Sequence, residues 1–176
     1  IVAKRAVAVL GNHELNLLRA EAKDGSGWFF NERVERDNHK YSPYEKVEQL
    51  DREKIISFLL TLPIALERED LRVVHAAWMQ DQVQILKSRS IGSQIQSYVE
   101  WDQLALNHAS DFLSSMKIEL EDWNFSLEDQ HNEPPFLHAH AAHDSVKQMM
   151  NPLRVLTSGV ERKGGSPFYS KIGRAH

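Results

Sequence analysis

The sequence contains no cysteine. Disulfides, thiolate metal sites and cysteine nucleophiles are therefore excluded. No apolar run reaches the length that spans a membrane, so we expect a cytoplasmic protein without a membrane partner. Lysine and arginine form no dense run and the formal net charge is −4, which argues against nucleic-acid binding through a basic patch.

Two common catalytic or nucleotide-binding motifs are also missing from the sequence. No Gly-x-Ser-x-Gly segment is present, which argues against a serine hydrolase with a nucleophile elbow. Gly164-Gly165-Ser166 is too short for a phosphate-binding loop and lacks the Lys-Ser/Thr pair. With 176 residues, the chain has the length of one domain.

The first half of the sequence alternates between strand-like and helix-like segments. Residues 6–10 form a short apolar run that predicts a buried strand. Helices are predicted over residues 15–22 and again after Asp51, which we expect to be an N-cap. Residues 71–75 predict a second strand, and this order of elements favours an α/β fold.

The second half of the sequence has a predominantly helical pattern. Two apolar stripes recur at helical spacing, and we expect both to pack in the core. Their members are Ile91, Ile95 and Val99, and then Phe112, Met116, Leu120 and Trp123. Asn151-Pro152 ends the helical region, and residues 153–157 predict a third strand.

Three histidines lie close together within the helical half, at His138, His140 and His143. Three imidazoles at such spacing could bind a metal ion. The alanines between them favour a helix, on which residues two apart point away from each other. Only His140 and His143 could then share a face, so we favour adventitious metal binding over a native site.

The strongest chemical signal is the tetrapeptide Gly11-Asn12-His13-Glu14, which follows the first predicted strand. His75 lies at the end of the second predicted strand. Because ligand sites in α/β sheets lie beyond the carboxyl ends of strands, Asn12, His13 and His75 could converge on one crevice. Taken singly, Asn12 could be a turn residue and His75 a core histidine. Their combination favours a ligand site.

These residues resemble motifs of the calcineurin-like metallophosphoesterases. The likeness is closer to bacterial members, the Ser/Thr-protein-phosphatase-like proteins and the diadenosine tetraphosphatases. Residues 11–18 resemble the helix entry of those enzymes, and residues 62–66 with 71–76 resemble their next block. The resemblance covers residues 6–78 well and 152–169 weakly.

The resemblance implies a pair of divalent metal ions, such as Mn, Fe or Zn, that clamp a phosphate and activate a water. Asn12 and His75 would be metal ligands, and His13 would protonate the leaving group. Gly11 would allow a tight turn below the metals, and Glu14 would support the helix start. The substrate would be a phosphorylated small molecule, a nucleotide or a phosphoprotein.

The resemblance is incomplete. The family has Gly-Asp-x-His and Gly-Asp-x-x-Asp-Arg motifs before the Asn-His motif, and only ten residues precede Gly11. The family also has a later Gly-His motif, whereas Ile172–His176 resembles the translation of a sequencing adapter. We therefore expect a fragment truncated at both ends, inactive by itself, whose parent hydrolyses phosphate esters or anhydrides.

The predicted architecture is a single partial metallophosphoesterase domain over residues 1–176, an α/β sandwich with a largely helical insertion. Residues 1–78 would form the α/β core with the metal-site motifs, and residues 79–150 a helical insertion or cap. Residues 151–170 would form a return strand and loop, and residues 171–176 a sequencing artefact. Two alternatives stay open: a diadenosine tetraphosphate hydrolase, and a non-catalytic interaction module that keeps the fold without a complete metal site.

Overall fold

The computed structural model describes residues 6–121 and 137–160. These residues combine many helices with a small two-stranded antiparallel sheet, so the fold is mixed α and β. They divide into two compact units, residues 6–99 with 152–159, and residues 100–121 with 137–151. Trp123, the expected loop after residue 160 and the expected artefact at 171–176 lie outside the described residues.

The first unit contains the sheet and most of the helices. Its strands are β1 (Ala65–Arg68) and β2 (Leu71–Val74). Its helices are α1 (Asn12–Leu18), α2 (Val34–Lys40), α3 (Gln49–Leu59), α4 (Gln80–Lys87), the start of α5 (Gln94–Ala109), and α8 (Pro152–Ser158), with a 3-10 turn at Asn31–Arg33. Helix α1 packs on α3 and α8, and α4 packs on α8.

The second unit is helical in its described part. It contains the rest of α5, a 3-10 turn at Ser110–Phe112, α6 (Leu113–Glu121) and α7 (His138–Met149). Helix α6 packs against α7. The prediction of helix through the middle of the chain is confirmed for these residues. No helix in the described ranges has both the length and the apolar character needed to cross a bilayer.

The hairpin confirms the second predicted strand. Strand β2 pairs antiparallel with β1, with Ala65 opposite Val74 and Arg68 opposite Leu71. The residues between the strands, Glu69 and Asp70, form a two-residue turn, which is a common hairpin connection. Glu67 and Arg68, the first half of the charged stretch 67–70, belong to β1.

Two predicted helices are present with different boundaries. The helix predicted over residues 15–22 is α1, which begins earlier, at Asn12, and ends earlier, at Leu18. The helix predicted after Asp51 is α3, but its N-cap is Glu48. Asp51 lies inside the first turn, where its carboxylate still suits the positive end of the helix dipole.

The prediction of a buried strand over residues 6–10 is wrong. These residues form no regular strand, and Val7 is 77% exposed, while Leu10 is fully buried. The N–H of Leu10 donates to the carbonyl of Pro63 at 2.9 Å. Because proline has no backbone N–H, Pro63 cannot donate a hydrogen bond back to this segment, as a paired β-strand would.

The prediction of a third strand over residues 153–157 is also wrong, because these residues form helix α8. Pro152 is the first helical residue, where its fixed φ favours a helix start and its missing N–H costs nothing. The Thr157 hydroxyl donates to the Leu153 carbonyl at 2.6 Å, one helical turn earlier. The return strand expected within 151–170 is therefore absent from its described part.

The core of the first unit is built largely from leucine. Its buried members include Leu10, Leu15, Leu17, Leu18, Leu59, Leu62, Ile64, Leu153, Val155 and Leu156. They come from the segment before α1, from α1 itself, from α3 and the loop after it, and from α8. This core fixes the start of α1 close to the end of β2.

The described members of the two apolar stripes predicted to be core are exposed or half-buried, and none of them is fully buried. Val99 is 59% exposed and Leu120 is 54% exposed. The buried face of α5 is instead formed by Ser97, Tyr98, Trp101, Ala105 and Ala109. These residues have the same helical spacing, but the aromatic rings bury more surface and the small residues allow close packing.

Candidate functional site

Helix α1 begins directly at the predicted motif. Gly11 precedes the helix in an extended conformation, and Asn12 is its first residue. The Gly11 N–H donates to the Glu14 carboxylate at 3.0 Å. This bond satisfies a backbone donor at the helix start and fixes the Glu14 side chain beside Gly11.

His75 lies against Gly11. A Cβ atom added to Gly11 would be 2.7 Å from His75 Nδ1 and 2.8 Å from Glu14 Oε2. Both distances are far inside van der Waals contact, so any larger residue would displace the imidazole or the carboxylate. The structure therefore brings together Gly11, Glu14 and His75, a different set from the Asn12, His13 and His75 that the sequence pattern predicts to converge.

Backbone hydrogen bonds hold both sides of this contact. Leu10, just before Gly11, is bonded to Pro63, and the N–H of Ala76, just after His75, donates to the Leu156 carbonyl at 3.0 Å. The position of His75 thus depends on α8 as well as on the hairpin. His75 itself is exposed, so its imidazole is accessible to a ligand.

Asn12 lines a polar cavity of about 260 Å³ in the first unit. The other lining residues are Leu15, Asn16, Arg19, Glu21, Lys23, Tyr98, Arg154, Thr157 and Ser158. Asn12, Asn16 and Arg19 lie on one face of α1, because residues four and seven apart follow the helical repeat. Helix α8 and the start of α5 supply the rest of the wall.

The charge of this cavity is predominantly positive. Arg19 forms an ion pair with Glu21, and Lys23 lies 3.2 Å from the same carboxylate. The Arg19 guanidinium lies 3.5 Å from the centre of the Tyr98 ring, and that of Arg154 lies 5.2 Å from it. Three cations thus face one carboxylate, an environment that suits an anion such as phosphate.

His13 lines a different, smaller cavity of about 190 Å³. Trp28, Gly25 and Ser26 form part of its wall. Asn16 and Lys23 line both this cavity and the one that contains Asn12. The structure therefore places Asn12 and His13 in neighbouring cavities rather than in one.

The loop that borders the His13 cavity is held by Asp37. This carboxylate is fully buried and accepts a hydrogen bond from the Gly27 N–H at 2.7 Å. Arg33 precedes Asp37 by one helical turn, and its guanidinium lies 3.7 Å from the other oxygen of the Asp37 carboxylate. Because Gly27 lies between two residues of the cavity wall, Asp37 shapes the surroundings of His13.

The resemblance implies Asn12 and His75 as ligands of one metal ion, but Asn12 lines a cavity whose lining does not include His75. The Asn12 amide and the His75 imidazole are ligand types that Mn, Fe and Zn accept. The Glu14 carboxylate accepts the Gly11 N–H. Within residues 6–121 and 137–160, no three His, Asp or Glu side chains cluster closely enough to hold one ion.

The three histidines of the second unit lie on α7, as predicted. The Glu119 carboxylate accepts hydrogen bonds from the Ala139 N–H at 2.6 Å and from the His140 N–H at 3.2 Å, and it lies 2.8 Å from His140 Nδ1. Burial raises the pKa of Glu119, but these hydrogen bonds more than offset burial and the pKa is lowered. His143 Nδ1 lies 3.1 Å from Asp144.

Sequence reasoning misses Arg19, Tyr98 and Arg154, which dominate the positive cavity. Arg19 lies seven residues after Asn12 and so on the same face of α1, but the predicted helix begins at residue 15 and leaves Asn12 outside it. Arg154 could not be found from the sequence, because its segment was taken as a strand. Tyr98 lies one residue before a member of the apolar stripe that was expected to be buried.

Comparison of the chain with protein-family models, with curated proteins and with solved structures finds no match. The likeness to metallophosphoesterases therefore rests on the motif residues of the sequence alone. The contact between His75 and Gly11 and the positive cavity beside Asn12 are the two structural features that bear on function.

Proposed function

We propose that this chain is part of a binuclear-metal-dependent phosphoesterase, which hydrolyses phosphate esters or anhydrides with a metal-activated water. The observation that carries the proposal is the contact of His75 with Gly11. It joins the Gly-Asn-His-Glu motif to the histidine that ends β2, the two segments on which the resemblance rests.

Each motif residue has a role that suits its position. Asn12 and His75 would hold a Mn, Fe or Zn ion, and carboxylates from outside this cluster would have to complete the pair. The ions would supply the activated water and the Lewis acid. His13 is exposed on the first turn of α1, where it can donate a proton to a leaving-group oxygen. Gly11 and Glu14 would fix the tight turn at the start of α1.

The positive cavity would bind the phosphate or a second anionic group of the substrate. Arg19 and Arg154 present planar guanidinium groups that can bond two oxygens of one phosphate at a time. Arg19 is held by Glu21 and Tyr98, so it is already positioned before a ligand arrives. Such preorganisation lowers the entropy cost of binding.

The proposal extends to the wider architecture. The hairpin would belong to a metallophosphoesterase α/β sandwich, and the helical middle of the chain would be an insertion or cap. We also propose that the protein is located in the cytoplasm. Diadenosine tetraphosphate hydrolysis is the alternative activity, and a non-catalytic interaction module is the alternative class.

Phosphate binding tests the proposal without requiring metal ions. Inorganic phosphate is titrated into the chain and followed by NMR of the Arg19 and Arg154 side chains. We expect Arg154→Gln to weaken binding about tenfold, because a hydrogen bond to a charged group contributes about 1.5–3 kcal/mol. Arg68→Gln is the matched control, since Arg68 is exposed and pairs with Asp70 in the hairpin turn. Equal affinities in the two variants would contradict the proposal.

A phosphatase assay with added Mn²⁺ tests the expected inactivity of this chain. We expect hydrolysis of p-nitrophenyl phosphate no faster than that by a His13→Ala variant. Turnover well above that control would show that the 176 residues suffice for catalysis. Competition between phosphate, a phosphopeptide and diadenosine tetraphosphate for the positive cavity then separates the candidate substrate classes.

A further inference from the structure

The positive cavity and the smaller cavity beside His13 adjoin each other in the first unit. Asn16 and Lys23 line both cavities, so the two meet along these side chains. A ligand whose phosphate lies in the positive cavity can therefore extend into the cavity beside His13. The chemistry of this second cavity then determines which group the phosphate is attached to.

His13 indicates which part of the substrate the smaller cavity holds. Under the proposed function, His13 gives a proton to the leaving-group oxygen, so this oxygen must lie within hydrogen-bond reach of the imidazole. Because His13 lines the smaller cavity, the leaving group lies there. In that step the water oxygen bonds to phosphorus, the bond from phosphorus to the leaving-group oxygen breaks, and this oxygen takes the proton from His13. One proton of the water stays on the released phosphate, and the other returns to His13 through the solvent.

Trp28 gives the smaller cavity an aromatic wall. It is half-buried, and its ring packs edge-to-face on that of Phe29 with 5.5 Å between the ring centres. Its backbone is also held, because the Val47 N–H donates to the Trp28 carbonyl at 2.9 Å. Trp28 is therefore positioned before a ligand binds, and an aromatic group beside it gains both apolar burial and a ring–ring interaction.

The volume of the smaller cavity limits the leaving group to about one ring. It measures about 190 Å³, whereas an apolar protein cavity of about 150 Å³ holds benzene. A single aromatic ring on the ester oxygen fits this volume, but a nucleoside, with a sugar and a base, exceeds it. A phosphoserine or phosphothreonine side chain has no ring to place beside Trp28.

We propose that the phosphoesterase site takes an aryl phosphate monoester, whose phosphate lies in the positive cavity and whose aromatic leaving group lies beside Trp28 in the cavity of His13. This inference rests on the proposed function, which assigns the positive cavity to phosphate and His13 to the leaving group. Trp28 is then a residue that determines specificity. Tyr98, the aromatic residue of the positive cavity, does not offer the same contact, because the Arg19 guanidinium lies 3.5 Å from its ring centre.

Phenyl phosphate and methyl phosphate form a matched pair of probes, which differ only in the group on the ester oxygen. Each is titrated into the ¹⁵N-labelled chain, as is inorganic phosphate, and binding is followed by NMR. We expect phenyl phosphate to bind about tenfold more tightly than methyl phosphate and to shift the indole N–H signal of Trp28, which methyl phosphate leaves unchanged. If inorganic phosphate binds but the two esters bind equally, this inference is overturned and the proposed function stands. Failure of all three to bind would overturn both.

Substitution of Trp28 locates the ring of the ligand. Trp28→Leu should lower the affinity for phenyl phosphate about tenfold and leave that for inorganic phosphate unchanged. Trp78→Leu is the matched control and should change neither affinity, since Trp78 is also half-buried but lines neither cavity. Retained affinity for phenyl phosphate in a folded Trp28→Leu variant would contradict the proposal. If that variant fails to fold, an unshifted Trp28 signal in the unsubstituted chain would contradict it equally.

Adenosine monophosphate and the ribose phosphate without the base test the size limit. We expect the two to bind equally, because the base would extend beyond the cavity beside His13. Tighter binding of adenosine monophosphate, by as much as phenyl phosphate gains over methyl phosphate, would overturn the aryl assignment in favour of a nucleoside leaving group.

Discussion

The imidazole of His75 and the backbone of Gly11 are in direct contact, so close that Gly11 has no space for a side chain. This contact unites two segments that are far apart in the sequence. It also explains the glycine without reference to positive φ, because the Gly11 backbone is extended. The requirement for glycine comes from the ring above it.

Gly11→Ala tests this contact. We expect the substitution to lower the free energy of unfolding by about 1–3 kcal/mol, because the new methyl group overlaps the His75 ring. Urea denaturation measures the loss. In a His75→Ala background the same substitution should cost less, since the ring is gone. An equal cost in both backgrounds would show that His75 does not lie there.

Glu119→Gln tests the hydrogen bonds at the start of α7. We expect a loss of about 1–2 kcal/mol at neutral pH, because the carboxylate bonds two backbone N–H groups and His140. Thermal unfolding followed by circular dichroism measures the change. Glu121→Gln is the control, since Glu121 is exposed and lies 3.6 Å from Lys117.

The pH dependence of stability follows from the lowered pKa of Glu119. Its folded pKa lies below its ordinary value of 4.5, so the native state favours the carboxylate. The stabilisation is therefore fully present above that ordinary value and is lost as the pH falls through the lowered pKa. Between pH 7 and pH 3, the Tm of the Glu119→Gln variant should fall less than the Tm of the unsubstituted chain. An equal fall in Tm for both proteins would argue against a lowered pKa of Glu119.

Asp37→Ala tests the loop beside His13. Removal of the carboxylate leaves the buried Gly27 N–H without its acceptor, and we expect a cost of about 1–3 kcal/mol. Chemical shifts of Trp28 should also change, because the loop wall moves. Asp70→Ala, which breaks an exposed ion pair with Arg68, should cost below about 1 kcal/mol. Similar costs for both would contradict a structural role for Asp37.

Leu156→Ala tests the role of α8 in the core. Leu156 is fully buried, and its carbonyl accepts the Ala76 N–H next to His75. We expect a loss of about 2–5 kcal/mol, measured by urea denaturation. Leu113→Ala on α6 removes the same atoms from an exposed position and should cost far less. A small effect at Leu156 would argue that α8 does not pack in this core.

Secondary-structure elements that depend on interactions between residues close in sequence could be predicted from the sequence. The second strand, the helix after Asp51 and the helix at the three histidines are present because each has a strong local pattern. The contact of Gly11 with His75 was not predicted, because the sequence pattern pointed to Asn12, His13 and His75 at two strand ends. The segment before Gly11 is not a strand, so the reasoning from strand ends does not apply to it.

Features that depend on tertiary contacts could not be predicted from the sequence. Residues 153–157 have an apolar pattern that suits a strand, yet Pro152 and burial on all sides favour a helix. The positive cavity needs Arg19 from α1, Tyr98 from α5 and Arg154 from α8, and no local pattern links them.

Manganese binding tests the central claim, that the Gly11–Glu14 motif and His75 form one ligand site. Mn²⁺ is added in small amounts to the labelled chain, and paramagnetic broadening is mapped by NMR. We predict that the Asn12 side-chain amide and the His75 imidazole broaden together, and that His75→Ala abolishes the effect at Asn12. Broadening confined to the α7 histidines, or broadening at Asn12 that persists in His75→Ala, would contradict the account.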